Sequence, residues 1–399
     1  MALIHLLSHK CFLLLLGLVQ KFLTIPSQVL FAGAGSSGQL AGHIGRLGYR
    51  RVLLVTDQIL ADLGMAQDIS LKLEEAGVTV FLFSGVQPDP TSDIVEQGLA
   101  VLQANNCDAV LALGGGSSID AAKGIAASAT NGRVQDLVGL LKIKVPLLPL
   151  FAIPTTSGTG SEATFAAVIS DSETHRKGFL ADMKLIPQGV SLDPLLMIGM
   201  PQGVTAATGA DALTHAIETY IGRWADERVK GLSGTATKLL FEYLPRAYRD
   251  GSDLEAREAL ALASYYAGQS INSASVGTVH AIAHQFGALY GTPHGLANAV
   301  VLPHVLDSYV ASNAEPLAEL ARLIGLTAAG NDARSLAEQF VAEVRSLLAT
   351  LSIEPTLAAL QTSDIPQLAQ DSFAENKQYP VPRFLRYEEL ETLLAKIVA

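Results

Sequence analysis

The first half of the chain alternates short apolar runs with longer, helix-like segments. The runs "RVLLVT" (51–56), "TVFLFS" (79–84) and "DAVLAL" (108–113) are each followed by a segment with helical spacing of its apolar residues. Because parallel strands need long crossover connections, this alternation predicts a parallel β-sheet covered by helices, a Rossmann-like α/β fold. Such sheets bind ligands beyond the carboxyl ends of their strands, and we expect a binding site there.

After residue 200 the pattern becomes helical. Segments such as "DALTHAIETYI" and "EAREALALASYYAG" repeat apolar residues at the helical period, and few runs resemble strands. The chain has 399 residues, which exceeds the size of a single hydrophobic core. With the boundary placed at the Pro-Gln-Gly break that begins at Pro201, we predict an α/β domain over residues 24–200 and an all-helical domain over residues 201–399.

Residues 1–23 form a separate apolar segment at the N-terminus. Its longest unbroken apolar stretch runs only from Cys11 to Val19, which is shorter than the roughly 20 residues that span a bilayer. No small-residue cleavage site follows it, so it does not resemble a signal peptide. We predict a helical extension over residues 1–23 that packs on the protein body or on a partner subunit, with contact to a membrane surface as the alternative.

Charge and cysteine content limit the partners and the compartment. The formal net charge of -11 disfavours binding to phosphate backbones, so no nucleic-acid partner is expected. The chain has 2 cysteines, Cys11 and Cys107, which form neither a disulfide framework nor a CxxC metal site. This usage fits a reducing compartment, and we predict a cytoplasmic protein.

A triple-glycine turn joins the third strand-like run to the next helix. In "DAVLALGGGSSIDAAKGIA", Gly114, Gly115 and Gly116 precede a helix whose first turn holds Ser117. Glycines let the backbone approach a ligand closely, and the free N–H groups and dipole of a helix N-terminus favour an anion. The turn therefore predicts a pyrophosphate site, and a plain tight turn is the alternative.

A second glycine motif competes with it. "GAGSSG" (33–38) matches GxGxxG, and Asp57 follows at the spacing that a dinucleotide fingerprint requires. The run before it, "SQVLFA", is short and follows a proline, which disfavours a central strand. We therefore expect this turn to have a packing role, with the phosphates bound by the triple-glycine turn. Asp57, at the end of a strand, is suited to bind ribose hydroxyls and to repel a 2′-phosphate, which favours NAD over NADP; a helix cap is the alternative.

Two further groups of polar residues indicate a site. The loop "IPTTSGTGSEAT" (153–164) offers many neutral hydroxyl donors, which suit phosphate and carboxamide groups, although an ordinary Ser/Thr loop is also consistent. Asp211 and His215 are four residues apart, as are His280 and His284, so each pair shares a helix face. With His294 in "GTPHG", these residues suit Fe(II) or Zn(II). Spacing alone leaves open that each histidine is a core or surface residue.

Four stretches together resemble the iron-containing (group III) alcohol dehydrogenases. The resemblance covers the chain from about residue 24 to the C-terminus, and the motifs are "GGGSSIDAAK", "PTTSGTGSEAT", "GADALTHAIETY" and "GTVHAIAHQFGALYGTPHGLANAVVLPHV". It implies a dinucleotide-binding domain followed by a metal-binding helical domain, with the active site in the cleft between them. Family members usually carry asparagine where this chain has Asp89.

The resemblance also implies the roles of individual residues. The metal ligands would be Asp211, His215, His280 and His294, and His284 would lie near the substrate as a proton relay. The cofactor NAD would contact Asp57 with its ribose and the glycine turn with its pyrophosphate. The implied cofactor-binding residues are Asp57, Gly114, Gly115, Gly116, Ser117, Thr155, Thr156, Thr159, Thr164 and Lys177.

The implied activity is hydride transfer between an alcohol and NAD, with aldehyde or ketone reduction in reverse. The metal ion, Fe(II) or Zn(II), would polarise the substrate oxygen. Two alternatives stay open: a glycerol-dehydrogenase-type polyol oxidoreductase of the same superfamily, and a catalytically silent partner protein that binds NAD or metal. We expect a small-molecule alcohol or aldehyde as substrate and a homodimer or larger homo-oligomer.

Overall fold

The computed structural model describes residues 25–174, 176–328 and 332–399. The helix predicted over residues 1–23 lies outside the described residues. Within the described ranges, no helix combines the length and the apolar character that a membrane span requires.

The described chain divides into two compact units. The first comprises Ile25–Met200 together with Ser252–Gly268, and the second comprises Pro201–Gly251 together with Gln269–Ala399. One passage between the units therefore falls at Pro201, where the sequence analysis places its boundary. The return of Ser252–Gly268 to the first unit is a feature that helical periodicity does not reveal.

A six-stranded sheet is the centre of the first unit, in the order β1-β9-β6-β4-β2-β3, and all its strand pairs are parallel, as predicted. A small second sheet has the order β5-β8-β7. The strands are Val29–Ala32 (β1), Arg51–Asp57 (β2), Thr79–Val86 (β3), Ala109–Gly114 (β4), Gly139–Leu140 (β5), Leu150–Pro154 (β6), Ala166–Ser170 (β7), Lys177–Ala181 (β8) and Gly189–Leu192 (β9).

Helices cover this sheet and make up the second unit, which contains no strand longer than an isolated bridge among its described residues. The helices are Ser36–Arg46 (α1), Gln58–Asp62 (α2), Met65–Glu75 (α3), Ser92–Ala104 (α4), Gly116–Asn131 (α5), Gln202–Ile221 (α6), Glu227–Arg249 (α7), Leu254–Ala274 (α8), Thr278–Tyr290 (α9), His294–Val310 (α10), Ala314–Leu323 (α11), Ala333–Thr350 (α12), Ile365–Asn376 (α13) and Tyr387–Ala395 (α14). The all-helical second half is thereby confirmed.

The central strands are apolar on both faces. Every residue of β4 and of β6 is buried. Along β2, Leu53 and Val55 contribute to one core, whereas Val52 and Leu54 contribute to the core on the opposite face. Successive side chains of a strand point to opposite sides, so a sheet with helices on both faces requires the unbroken apolar runs that the sequence contains.

The strand β1 lies at the edge of the sheet, which agrees with the expectation that "SQVLFA" does not form a central strand. The carboxylate of Asp193 accepts hydrogen bonds from the turn that follows β1, "GAGSSG". The backbone N–H groups of Gly35 and Ser37 donate to its two oxygens at 3.0 and 3.2 Å, and the Ser37 hydroxyl donates at 2.6 Å. The Asp193 carboxylate thus satisfies N–H donors at this helix N-terminus, which is consistent with a packing role for the turn.

The strand order reverses between β2 and β4. The chain passes from β2 to β3 on one side and then crosses to β4 on the other side of β2. Open parallel sheets bind ligands at such a reversal, outside the carboxyl ends of the strands. Asp57 ends β2 and Gly114 ends β4, so the fold brings these two predicted cofactor residues to the same edge of the sheet.

A fully buried lysine of α5, Lys123, holds the hydroxyl loop (residues 153–164) against that helix. The Lys123 ammonium donates to the backbone oxygens of Ser161, Thr164 and Ala166 at 2.7, 2.9 and 2.6 Å. Asp120, one turn earlier, accepts a hydrogen bond from the Ser161 hydroxyl at 2.6 Å. Burial lowers the pKa of Lys123 to about 8, and the nearby Asp120 charge opposes this shift. These bonds fix the loop relative to the helix that carries the glycine turn.

Close approach between α6 and α10 depends on a glycine. A Cβ atom at Gly295 would lie 2.3 Å from the backbone oxygen of Ala207 and 3.4 Å from the Cβ of Asp211. Backbone atoms cannot yield as the end of a flexible side chain can. The two helices can therefore pack at this distance only with glycine at position 295.

We predict that Gly295→Ala pushes α10 away from α6. The free energy of unfolding should fall by about 1–3 kcal/mol, as for other overpacked interiors, and the midpoint of chemical denaturation followed by circular dichroism would report it. Gly231→Ala, on an exposed position of α7 with open space around it, is the matched control and should be stabilising by about 0.5–1 kcal/mol. Equal midpoints for the two variants would contradict the packing argument.

A second prediction concerns pH. Burial raises the pKa of Glu162 to about 7, above its ordinary value of 4.5. The folded protein then binds this proton more tightly than the unfolded chain, so the associated stability is complete below pH 4.5 and is lost as the pH rises through 7. Glu162→Gln removes the titration. Between these pH values, the free energy of unfolding of the wild type should fall relative to the variant by on the order of 2–3 kcal/mol.

Chemical denaturation at the two ends of that pH range measures the difference. Subtraction of the variant from the wild type cancels the titrating groups that do not interact with Glu162, because Gln has nearly the shape of Glu and no charge to titrate. Parallel stability curves for the two proteins would refute the assignment.

Candidate functional site

Helix α6 supplies two of the predicted metal ligands. Asp211 and His215 lie one turn apart on the same face, and both are buried, with 2% and 5% of their surface exposed. Most of the neighbouring residues on this helix are buried as well, so the polar pair is held inside the helical unit. Buried polar groups of this kind require partners, and a bound cation is one way to supply them.

The other two ligands come from α9 and α10. His280 is buried in the first turn of α9, and His284 follows one turn later with about a fifth of its side chain exposed. His294 is the first residue of α10, directly after Pro293, whose fixed backbone angle suits a helix start. Three helices thus present residues from three separated parts of the chain to one place.

The four predicted ligands converge. The Oδ1 atom of Asp211 lies 3.5 Å from His294 Nε2, 3.9 Å from His215 Nε2 and 4.0 Å from His280 Nε2. All four ligand atoms lie within 4.8 Å of one another. Metal–nitrogen bonds of about 2.1 Å place neighbouring tetrahedral ligands roughly 3.4 Å apart, so this spacing fits a first-row divalent cation. One carboxylate and three imidazoles also form a donor set that suits Fe(II) or Zn(II).

The environment keeps His280 in its metal-binding form. Burial lowers the pKa of His280 well below its ordinary value, and the neighbouring His215, His294 and His284 act in the same direction. The ring is therefore neutral near pH 7, with one nitrogen carrying a lone pair. His215 stacks on His280 with 4.6 Å between ring centroids, so the two imidazoles hold each other in place.

Asn298 contacts three of the four ligands. It lies one turn after His294 on α10, and its Nδ2 atom donates to Asp211 Oδ1 at 2.7 Å. The same nitrogen is 3.1 Å from His294 Nε2 and 3.2 Å from His280 Nε2. Sequence analysis did not single out Asn298, although its four-residue spacing from His294 places both on one helix face.

Two glutamates that the sequence analysis also missed bind the histidines of α9. Glu218 Oε2 is 2.7 Å from His280 Nδ1. Burial raises the pKa of Glu218 to about 8, and the backbone N–H groups of Val279 and Gly277 oppose that rise. Glu375, from α13, is 2.5 Å from His284 Nδ1. The seven-residue spacing from Asp211 to Glu218 was a usable signal, whereas nothing in the sequence links Glu375 to this site.

The partner of His284 is itself fixed by two donors. The Tyr379 hydroxyl donates to Glu375 Oε1 and Gln285 Nε2 donates to Glu375 Oε2, both at 2.7 Å. Burial and the adjacent Glu375 charge raise the pKa of Tyr379 well above its ordinary value, so this phenol remains a donor. The ring of His284 stacks on that of His294 at 5.3 Å between centroids. His284 therefore stands beside the ligand cluster in a fixed orientation.

In the first unit, the glycine turn and the hydroxyl loop lie side by side. Gly114 has φ +145°, and a Cβ there would meet the Ser118 hydroxyl at 2.5 Å, so the turn requires glycine. A Cβ on Gly116 would lie 2.8 Å from Thr159, and one on Gly115 would lie 3.4 Å from Thr156. The turn also leads into α5, with Gly115 as its N-terminal cap residue.

This geometry suits a phosphate group. The N–H groups of the first turn of α5 need acceptors, and glycine leaves the backbone open to a ligand. The Thr155 N–H donates to the backbone oxygen of Gly114 at 3.0 Å, which joins the loop to the turn. Ser117, the second residue of α5, is partly exposed. The two segments form one polar surface at the strand-order reversal.

Asp57 caps a helix. Its Oδ1 atom accepts a hydrogen bond from the Leu60 N–H at 2.9 Å at the start of α2. The alternative that the sequence left open for this residue is therefore realised. A carboxylate has two oxygens and several lone pairs, so the cap does not prevent a ribose contact, which stays a prediction.

Two other predicted cofactor residues have protein partners. The Thr164 hydroxyl is 3.1 Å from Lys123 Nζ and 7% of the residue is exposed. Lys177, at the start of β8, forms an ion pair with Asp89 at 3.2 Å. The charge of Asp89 is thereby balanced by Lys177. The cofactor contacts of Thr164 and Lys177 stay predictions.

Two family models together cover most of the chain. The model described as "Iron-containing alcohol dehydrogenase" matches residues 26–194, and the model described as "Fe-containing alcohol dehydrogenase family, C-terminal" matches residues 205–398. Their order agrees with the sheet-containing first half and the helical second half of the sequence.

Individual relatives agree with this result. The chain is 36% identical to the NAD-dependent methanol dehydrogenase of Bacillus methanolicus, over 94% of this chain and 98% of the relative. It is 37% identical to the 1,3-propanediol dehydrogenase of Klebsiella pneumoniae, over 92% and 96%. The crystal structure of a 1,3-propanediol oxidoreductase matches with a TM-score of 0.90 and 36% identity, over 94% of this chain and 100% of that one. The family models and these similarities show that the chain belongs to the iron-containing alcohol dehydrogenase family.

Proposed function

We propose that this protein oxidises small primary alcohols with NAD and reduces the corresponding aldehydes in reverse, with a divalent metal ion bound by its helical unit. The observation that carries the proposal is the convergence of one carboxylate and three imidazoles within 4.8 Å, three of the four residues being buried. Methanol and 1,3-propanediol, for which two relatives are named, both carry a primary hydroxyl group. Their names support the substrate class.

The metal would be held by Asp211, His215, His280 and His294. When bound, it supplies Lewis-acid polarisation of the alcohol oxygen. The chain contributes the orientation of these ligands: helix spacing aligns Asp211 with His215, and the pairing of His280 with Glu218 directs that ring. Burial of Asp211, His215 and His280 strengthens the electrostatic interactions among them.

NAD would lie along the polar surface formed by the glycine turn and the hydroxyl loop. When bound, it accepts the hydride that leaves the alcohol carbon. Helix α5 would bind the pyrophosphate with its first N–H groups, and Thr155, Thr156 and Thr159 would offer hydroxyl donors. Asp57 would accept hydrogen bonds from the ribose hydroxyls and would repel a 2′-phosphate, because a second negative charge there is unfavourable.

His284 is the residue that we propose to take the alcohol proton. Its Nδ1 atom faces Glu375, so the neutral ring carries its lone pair on Nε2, which can accept a proton. The Glu375 carboxylate would stabilise the resulting imidazolium, and Tyr379 and Gln285 hold that carboxylate in place. The alcohol thus loses a hydride from carbon and a proton from oxygen, and an aldehyde is formed.

Purified protein loaded with Fe(II) or Zn(II) tests the function with a panel of alcohols and both nicotinamide cofactors, followed by absorbance at 340 nm. A polyol oxidoreductase would prefer glycerol and other vicinal diols over primary alcohols. A silent binding partner would bind NAD without any turnover. Neither of those outcomes is compatible with the proposal.

The same assay defines the role of the ligand cluster. His294→Ala should lose bound metal and alcohol oxidation together, because one of four ligands is missing, whereas NAD binding should be retained, since its residues lie in the other unit. Metal analysis, turnover and NAD titration measure the three quantities. His43→Ala, a histidine on α1 outside the cluster, should leave all three unchanged. Full turnover of metal-stripped wild-type protein would end the proposal.

Cofactor preference provides a second prediction. Asp57→Gly removes the charge that would oppose a 2′-phosphate, so the ratio of kcat/KM for NADP to kcat/KM for NAD should rise by about tenfold, equivalent to roughly 1.4 kcal/mol. Glycine substitutes for a capping aspartate at a cost of only a few tenths of a kcal/mol, so the fold should be preserved.

Asp226→Gly removes a cap of the same kind at the start of α7, where Asp226 Oδ1 accepts from the Val229 N–H at 2.8 Å. This control should leave the cofactor ratio unchanged. An unchanged ratio in Asp57→Gly would show that Asp57 acts only as a helix cap.

A further inference from the structure

Glu218 lies on the same face of α6 as Asp211 and His215. Residues at i, i+4 and i+7 of a helix are aligned, so the three side chains point toward the same neighbours. The Glu218 side chain is 4% exposed. An ionisable group buried to this degree requires partners that satisfy its oxygens.

Three groups at the start of α9 meet the Glu218 carboxylate. The Val279 N–H donates to Oε1 at 2.6 Å, and the Gly277 N–H donates to Oε2 at 2.8 Å. His280 Nδ1 lies 2.7 Å from the same Oε2 atom. Backbone N–H groups only donate, so these oxygens act as acceptors of the first two bonds. With Glu218 ionised, the third contact requires His280 to carry its proton on Nδ1.

That tautomer determines which nitrogen of His280 binds a cation. With the proton on Nδ1, the lone pair is on Nε2, the atom that lies 4.0 Å from Asp211 Oδ1 within the ligand cluster. The opposite tautomer would place an N–H group among the other ligands and would oppose binding. The hydrogen bond to Glu218 therefore selects the form of the ring that can bind metal.

We propose that Glu218 is a positioning residue of the metal site, which holds the tautomer and direction of His280 and thereby the affinity for the cation. This inference rests on the proposed metal-dependent function and assigns a role to a residue outside the four ligands. Gly277 is consistent with this role. A Cβ atom at this position would lie 2.7 Å from Glu218 Oε1, so the backbone before α9 can approach the carboxylate this closely only with glycine there.

A purely structural role as a helix cap is the competing explanation. A carboxylate near the first N–H groups of α9 would stabilise that helix in any case. Asp226 provides the comparison, because it caps α7 through Val229 and is not among the metal-binding group. Capping accounts for the contacts of Glu218 with Gly277 and Val279 but requires no contact with His280.

The test compares Co(II) binding by the wild type, Glu218→Gln and Asp226→Asn, each prepared without metal. Glutamine has the shape of glutamate, but its amide group places donors against a donor at one contact if it takes the Oε1 position, or at two contacts if it takes the Oε2 position. Competition with a chelator should show about 10–100-fold weaker Co(II) binding by Glu218→Gln. The visible absorption of bound Co(II), which reports its coordination, should change in this variant. Asp226→Asn should match the wild type in both measurements.

Wild-type affinity and an unchanged Co(II) spectrum in Glu218→Gln would overturn the proposal. An equal loss of affinity in Asp226→Asn would also overturn it, because general destabilisation would then explain the result. If Glu218→Gln does not fold, the ¹⁵N chemical shifts of the histidine rings in the metal-free wild type decide, with His280 assigned by comparison with His280→Asn. With Glu218 ionised at alkaline pH, a proton on Nδ1 supports the proposal, and a proton on Nε2 refutes it.

These outcomes are separate from those that test the overall function. Weakened Co(II) binding in Glu218→Gln combined with no alcohol oxidation by the wild type would refute the proposed reaction and leave the role of Glu218 intact. Alcohol oxidation by the wild type combined with unaltered Co(II) binding in the variant would refute only the role of Glu218. A wild type that binds no Co(II) would refute both.

Discussion

The helical unit is arranged around a cluster of lone pairs, three of whose four residues are buried. One carboxylate oxygen and three imidazole nitrogens lie within 4.8 Å of one another, and such groups are unfavourable in the interior unless a positive charge or a hydrogen-bond donor compensates them. Asn298 supplies one donor, and a cation would supply the rest. The spacing of α6 and α10 that makes this possible depends on Gly295, so a backbone contact sets the size of the site.

In the first unit, the glycine turn and the hydroxyl loop would bind an anionic cofactor through uncharged groups. The glycine turn offers backbone N–H groups and the adjacent loop offers hydroxyls, so these two segments would meet an anionic cofactor with uncharged donors. Lys123, whose charge is fully buried, acts behind this surface and binds the loop through its carbonyl oxygens. The loop is thus held by hydrogen bonds from a buried ammonium group.

Sequence reasoning was sufficient for features that depend on local periodicity. The central strands, the helical second half and the shared faces of Asp211 with His215 follow from spacing alone, and the resemblance selected the ligand set. It failed for features that depend on distant chain segments. Asp193 meets the "GAGSSG" turn from the end of another strand, and Glu375 reaches His284 from α13. No local pattern encodes such contacts, because only the tertiary fold brings the segments together.

The first unit is discontinuous along the chain. Residues Ser252–Gly268 return to it after the chain has entered the second unit. Within this returning segment, Tyr265 donates to Gln28 at 2.9 Å, and the backbone of Gly268 packs directly against Gly160 of the hydroxyl loop. During translation the first unit therefore cannot complete its core until residue 268 has left the ribosome. The first unit is therefore not a portable module that ends at residue 200.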